Sequence, residues 1–259
     1  MSLGLKTQKR ALDELWSRGL SGKTLLRDHC LLADSFIREC FEKIDVADLQ
    51  LNVAIVALGG YGRQELFPFS DIDLMILFRP KFRKQVKGVA DGLLYPLWDT
   101  GYEVGHGVRT ISESMSQAKQ DFVFRVALLD ARLVVGSVSL FDELVAVYNK
   151  KFVDGKRDIF VRHMNNYSEE RRERFGSHGY MLEPNIKESK GGLRDLQTMV
   201  WSAKVVFGIN SIQGIVDAGF LLEQEGKRFD EAHNMLVRIR NRLHYISGRK
   251  NDQLYFEQQ

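Results

Sequence analysis

The chain has 259 residues, 44% of them hydrophobic and 27% charged, enough apolar content for one large domain or two smaller ones, each with its own core. Its 37 basic and 34 acidic residues leave a formal net charge of only +3, too small a surplus to indicate a nucleic-acid binder. No apolar run approaches the roughly 20 residues that span a bilayer, and the first ten residues carry no apolar signal region, so a cytoplasmic protein with no membrane partner is expected.

In chain order, residues 1–45 read as N-terminal helices. Leu25, Leu26, His29, Leu32, Phe36 and Phe41 recur at helical spacing, and Ser21 is the expected cap. Cys30 and Cys40 lie on different sides of that helix and read as reduced thiols. Residues 51–58 form a β-type run that ends in Gly59-Gly60. A second strand is expected over 71–78, stopped by Pro80, and then a helix over 81–99 that Pro96 must kink or end. Residues 103–109 alternate as a third strand, with Val104, His106 and Val108 on a core face and His106 expected to be buried. Thr110 and Glu113 have the spacing of a capping box that opens the next helix.

From residue 121 onward the pattern is helical, apart from a polar, glycine-containing stretch between 176 and 192. The chain therefore reads as α+β: N-terminal helices over 1–45, a small mixed-sheet domain over 46–136, and a helical domain over 137–259.

The chemistry concentrates between residues 53 and 78. A hydrophobic strand delivers two adjacent glycines, which let the backbone turn sharply and let a phosphate approach without a Cβ in the way. If the following segment, 61–66, is a short helix, its free N–H groups face an anion at the turn, and Arg63 adds a forked, charged donor. The second strand then presents Asp71 and Asp73, two residues apart and so on one face, while Ile72 and Leu74 face the core. Two carboxylates side by side call for a cation between them. Mg²⁺ suits a pair of carboxylates completed by substrate phosphates and water. Taken singly, Gly-Gly is a tight turn and Asp-x-Asp a solvated strand edge; in this order they mark a metal-dependent nucleotidyltransferase site, with Ser70 beside the phosphates.

The segment Gly59-Gly-Tyr-Gly-Arg-Gln-Glu-Leu-Phe-Pro-Phe-Ser-Asp-Ile-Asp-Leu74 resembles the DNA polymerase β-like nucleotidyltransferase superfamily. More narrowly it is similar to the N-terminal domain of bacterial PII uridylyltransferase/uridylyl-removing enzymes. Trp98-Asp-Thr-Gly-Tyr-Glu-Val-Gly-His-Gly-Val-Arg-Thr110 and Glu183-Pro-Asn-Ile-Lys-Glu-Ser-Lys-Gly-Gly-Leu-Arg-Asp-Leu-Gln197 extend the likeness, which runs from about residue 20 to the C-terminus. The resemblance implies a polymerase β-like fold and transfer of UMP from UTP to a tyrosine of the PII signalling protein, with release of pyrophosphate. Asp71 and Asp73 would be the catalytic, Mg²⁺-holding pair, and Gly59, Gly60, Arg63 and Ser70 would contact the nucleotide.

In such enzymes a hydrolase domain and ACT domains follow, so the chain is expected to be a fragment of a longer enzyme. On the residues alone, Lys187 and Arg194 either face the triphosphate across the domain cleft or belong to a loop whose charges pair with one another, Arg194 with Asp195 or Glu188; the resemblance favours the first, which makes both nucleotide-binding residues. The third carboxylate of many superfamily members is absent from its expected position, Gly105, leaving Glu103 or the more distant Asp121. That gap keeps open a non-catalytic nucleotide-binding module; a nucleotidyltransferase with another nucleotide or acceptor is the second alternative, since no residue reads as a uracil contact.

Overall fold

The computed structural model describes residues 22–176 and 181–259, together with Glu14. Ser21, the expected cap, lies outside the described residues; helix α1 (Lys23–Glu42) opens at Gly22. A single helical turn, α2 (Leu49–Asn52), leads into β1 (Val53–Ala57), α3 (Gly59–Gly62) and β2 (Ile72–Phe78). A 3₁₀ turn at Pro80–Phe82 separates β2 from α4 (Val86–Asp99), so the single helix expected over 81–99 is two pieces, and α4 accommodates Pro96 within its last turn. Next come β3 (Val104–Arg109), α5 (Ile111–Gln120), α6 (Phe122–Leu129), β4 (Arg132–Gly136) and α7 (Val138–Phe152). The capping box of α5 is present: the Glu113 amide donates to Thr110 Oγ1 at 3.3 Å and the Thr110 amide to Glu113 Oε2 at 2.8 Å.

The four strands form one mixed sheet in the order β3-β2-β1-β4. β1 is antiparallel to both β2 and β4, and β2 is parallel to β3. Both central strands are buried on their two faces, save for Asp73. That explains why they read as continuous apolar runs rather than as alternation. On one face Ile55, Leu74 and Ile76 pack with Phe36, Ile37 and Phe41 of α1 and with Leu93 and Leu97 of α4. On the other, Ser114 of α5 reaches Met75, its hydroxyl 3.4 Å from the sulfur. Cys30 and Cys40 are buried free thiols, and burial pushes the Cys30 thiol up to about 12 and the Cys40 thiol up to about 11.

Three further expectations change. β4 interrupts what reads as uninterrupted helix after residue 121: α6 ends at Leu129, and Arg132–Gly136 pairs with β1 instead of continuing it. The helix expected over 61–66 begins earlier, at Gly59, and stops at Gly62, after which Gln64 turns left-handed (φ 62°). His106 is exposed rather than buried, because β3 is an edge strand and the ring meets Trp98 edge-on at 5.9 Å instead of entering the core.

Contacts divide the chain into two compact units, Met1–Lys151 and Phe152–Gln259, so that nearly all of α7 belongs with the sheet. The second unit holds α8 (Arg157–Phe175), α9 (Leu193–Phe207), α10 (Ile212–Asp217) and α11 (Glu223–Ser247). Its polar stretch before α9 is fastened to the C-terminal segment: the Ile186 amide donates to the Asp252 carbonyl at 2.8 Å and the Leu254 amide to the Pro184 carbonyl at 3.0 Å. Among the described residues, no helix is long and apolar enough to cross a membrane.

Candidate nucleotidyltransferase site

Antiparallel pairing of β1 with β2 brings the end of one strand to the start of the other, with Ala57 opposite Leu74. The Leu58 amide donates to the Asp73 carbonyl at 2.9 Å. Gly59 then turns with φ +53°, a conformation that favours glycine. A Cβ at Gly59 would lie 3.5 Å from Asp73 Oδ2, and one at Gly105 would lie 2.5 Å from Asp73 Oδ1. The Asp73 carboxylate thus occupies a bed between two glycines, one on the turn and one on the edge strand. The space where Gly105 lacks a side chain is filled by Asp73, its register partner on β2.

The turn is braced from behind. Tyr61 Oη donates to Asp34 Oδ1 at 2.5 Å, and Arg132 of β4 donates to both Asp34 oxygens at 2.7 and 3.0 Å. Arg132 also reaches the Tyr61 carbonyl at 3.3 Å. Gly62 must be glycine for space alone: an added Cβ would stand 2.1 Å from the Asp130 carbonyl oxygen and 3.0 Å from that of Ala57.

Arg63 is fully engaged in this bracing. It donates to Glu65 at 3.0 Å and to Asp130 at 2.5 Å, and although burial disfavours its charge, those two carboxylates hold its pKa above the ordinary arginine value. Gly60 accepts the Glu65 amide at 2.8 Å, which closes the loop behind the turn. Ser70 and Asp71 are half-buried on the approach to β2, following Phe69, which is left-handed at φ 58°. The Ser70 hydroxyl oxygen is buried and meets no hydrogen-bond partner among the described residues.

Among the described residues, no cluster of three or more His, Cys, Asp or Glu side chains could hold a metal ion. Two carboxylates at the entrance of β2, one of them bedded between glycines, nevertheless suit Mg²⁺, which takes one or two protein carboxylates and completes its shell with phosphate and water. Of the two acids considered for a third position, Asp121 lines the same cavity as Asp73, about 320 Å³ in volume. One of its oxygens caps α6, accepting the Phe124 amide at 3.0 Å. Glu103 is exposed beside the start of β3.

Lys187 and Arg194 both belong to the second unit and are joined there, the Arg194 amide donating to the Lys187 carbonyl at 2.8 Å. The Arg194 guanidinium is 3.1 Å from Glu188, donates to Gln197 at 2.8 Å and stacks 5.3 Å from the centre of the Trp201 ring. Buried Arg171 binds the Glu188 carbonyl and the Asp195 carboxylate. Burial, followed by the nearby Arg240 and Arg194 charges, pushes the Lys187 ammonium down to about 8. Within the second unit the charges around Arg194 are thus paired with one another.

Residues 37–135, from α1 into β4, match the family described as a nucleotidyltransferase domain, and residues 160–259 match the family described as GlnD PII-uridylyltransferase. Curated relatives named bifunctional uridylyltransferase/uridylyl-removing enzyme align along most of the chain. The protein of Azospirillum brasilense is 38% identical over 92% of this chain and 26% of its own length. That of Erythrobacter litoralis is 37% identical over 98% of this chain and 29% of its own, and that of Pseudomonas aeruginosa 32% over 97% and 28%. The chain thus spans little more than a quarter of the relatives it matches.

Proposed function

We propose that the sheet-bearing unit transfers UMP from UTP to a tyrosine hydroxyl of the PII signalling protein and releases pyrophosphate. The observation that carries the reading is the bed of Asp73 between Gly59 and Gly105, which puts a carboxylate at the lip of a glycine turn. The names of the relatives supply the uridylyl group, and the description of the matching family supplies the PII acceptor.

Asp71 and Asp73 would hold Mg²⁺, which neutralises the triphosphate and the departing pyrophosphate when bound. The Gly59-Gly60 turn gives the triphosphate a surface without Cβ atoms, and the first N–H groups of a helical turn have no partner within the turn. The Ser70 hydroxyl is a further donor beside the acids. Arg63 contributes indirectly, by holding Glu65 and Asp130 against the back of the turn. The residues act chiefly by positioning and charge neutralisation, which is what phosphoryl transfer requires of a protein.

The test is incorporation of α-labelled UTP into purified PII by the wild type and by Asp73→Asn. The variant is expected to retain its fold and to lose at least about a hundredfold of the transfer rate. Equal incorporation by the two proteins refutes the role of Asp73. A panel of the four ribonucleotides tests the base, and preference for ATP over UTP refutes the uridylyl assignment.

A further inference from the structure

The edge strand β3 carries glycine at alternate positions, Gly105 and Gly107, followed on the same face by Arg109. The first glycine beds the Asp73 carboxylate. The second does the same for a cation: a Cβ on Gly107 would fall 1.5 Å from Arg109 Nη1 and 2.7 Å from its Cζ. The Arg109 side chain therefore folds back, with Nη1 leading into the space that a Gly107 side chain would fill. Its Cζ lies over the Phe124 ring, 5.2 Å from the centre. Phe124 is itself fixed by donating its amide to the Asp121 cap at 3.0 Å.

Arg109, Asp73, Gly105, Gly107, Asp121 and Phe124 line one cavity of about 320 Å³. Among the described residues no carboxylate lies within ion-pair reach of Arg109. Arg63 differs in that two carboxylates already take up its charge. A planar guanidinium has five N–H donors in a fork that matches phosphate oxygens. Seated in the space beside Gly107 and over an aromatic ring, it loses less freedom on binding than a mobile side chain does.

We propose that Arg109 is a phosphate-binding residue of the cleft, positioned by the Gly107 bed and the Phe124 face to take the polyphosphate of a nucleotide beside Asp73. The inference rests on the nucleotide reading above. It moves the arginine contact with phosphate from Arg63 to Arg109.

The test is calorimetric binding of Mg²⁺–UTP and of Mg²⁺–pyrophosphate to the full chain, with thermal unfolding measured alongside. Arg109→Gln is expected to weaken both ligands by about tenfold or more, since a charge-assisted hydrogen bond is lost, with the unfolding midpoint unchanged. Arg109→Lys keeps the charge without the fork and should fall between the two. Gly107→Ala leaves the arginine in the sequence but displaces its guanidinium, and should weaken both ligands as Arg109→Gln does. The inference is overturned if Arg109→Gln and Gly107→Ala bind both ligands within about twofold of the wild type while Asp73→Asn does not. A wild type that binds neither ligand refutes the nucleotide reading together with this inference.

Discussion

Asp34 is the residue through which the back of the glycine turn is joined to the rest of the sheet, and its removal has a calculable consequence. The Asp34 side chain is 3% exposed, and it accepts one hydrogen bond from Tyr61 and two from Arg132. Asp34→Ala leaves a buried hydroxyl and a half-buried guanidinium without their acceptor. Breaking a buried ion pair from one side typically costs about 3–5 kcal/mol. Because the Arg132 side chain is 22% exposed and partly resolvates, the lower end applies, about 3 kcal/mol including the Tyr61 bond. Adding Arg132→Met removes the stranded charge, so the double variant should be about 1–2 kcal/mol more stable than the sum of the singles predicts. Urea unfolding of the three variants measures this, and amide exchange in β1 and β4 identifies the unit that is loosened. A loss below about 1 kcal/mol for Asp34→Ala, or additivity within about 0.5 kcal/mol, would refute the coupling.

The glycines provide a paired comparison. Gly62→Ala pushes a Cβ against two backbone carbonyls and should destabilise by at least about 1–3 kcal/mol in the same denaturation assay, whereas exposed Gly88 in α4 has nothing within 4 Å and Gly88→Ala should stabilise by about 0.5–1 kcal/mol. The depressed Lys187 ammonium predicts a pH dependence in the second unit. Between about 8 and 10.5 the unfolded chain binds a proton that the folded chain does not, so this group makes stability rise with pH, by at most roughly 3 kcal/mol. The Cys30 and Cys40 thiols, raised by burial, act with the opposite sign. The urea midpoint of the wild type minus that of Lys187→Met, followed from pH 7.5 to 10.5, isolates the lysine; a difference flat across that window refutes it. Tyr61→Phe should cost about 1 kcal/mol by deleting one buried hydrogen bond, read by the same unfolding curves.

The local elements of the site were legible because each carries its own physical signature. A strand running into two glycines, and an Asp-x-Asp opening an apolar strand, are visible without tertiary information, as is the Thr110–Glu113 box. What sequence patterning misread depended on neighbours distant along the chain. β4 looks helical until β1 is available to pair with it. His106 alternates correctly with Val104 and Val108, but alternation does not reveal that β3 is an edge. Arg63 has the right spacing for a phosphate contact, yet Asp130, 67 residues later, claims its guanidinium. The alternation of Gly105, Gly107 and Arg109 was present in the sequence; its meaning appears only when Asp73 and Arg109 are seen lying in the spaces the glycines leave.

The pairing of β1 with β2 also bears on when the site takes shape as the chain folds. Ala57 and Leu74, which face each other beside the glycine turn, are seventeen positions apart, whereas Arg132 and Asp34, which brace the turn from behind, are separated by 98. Closing the shorter loop is favoured by about 1.5 kcal/mol of chain entropy, so contacts around the turn and Asp73 are the ones a folding chain reaches first. The lip formed by the glycine turn and Asp73 is thus drawn from one continuous stretch of chain, and its rigidity is added later, when β4 returns to the sheet.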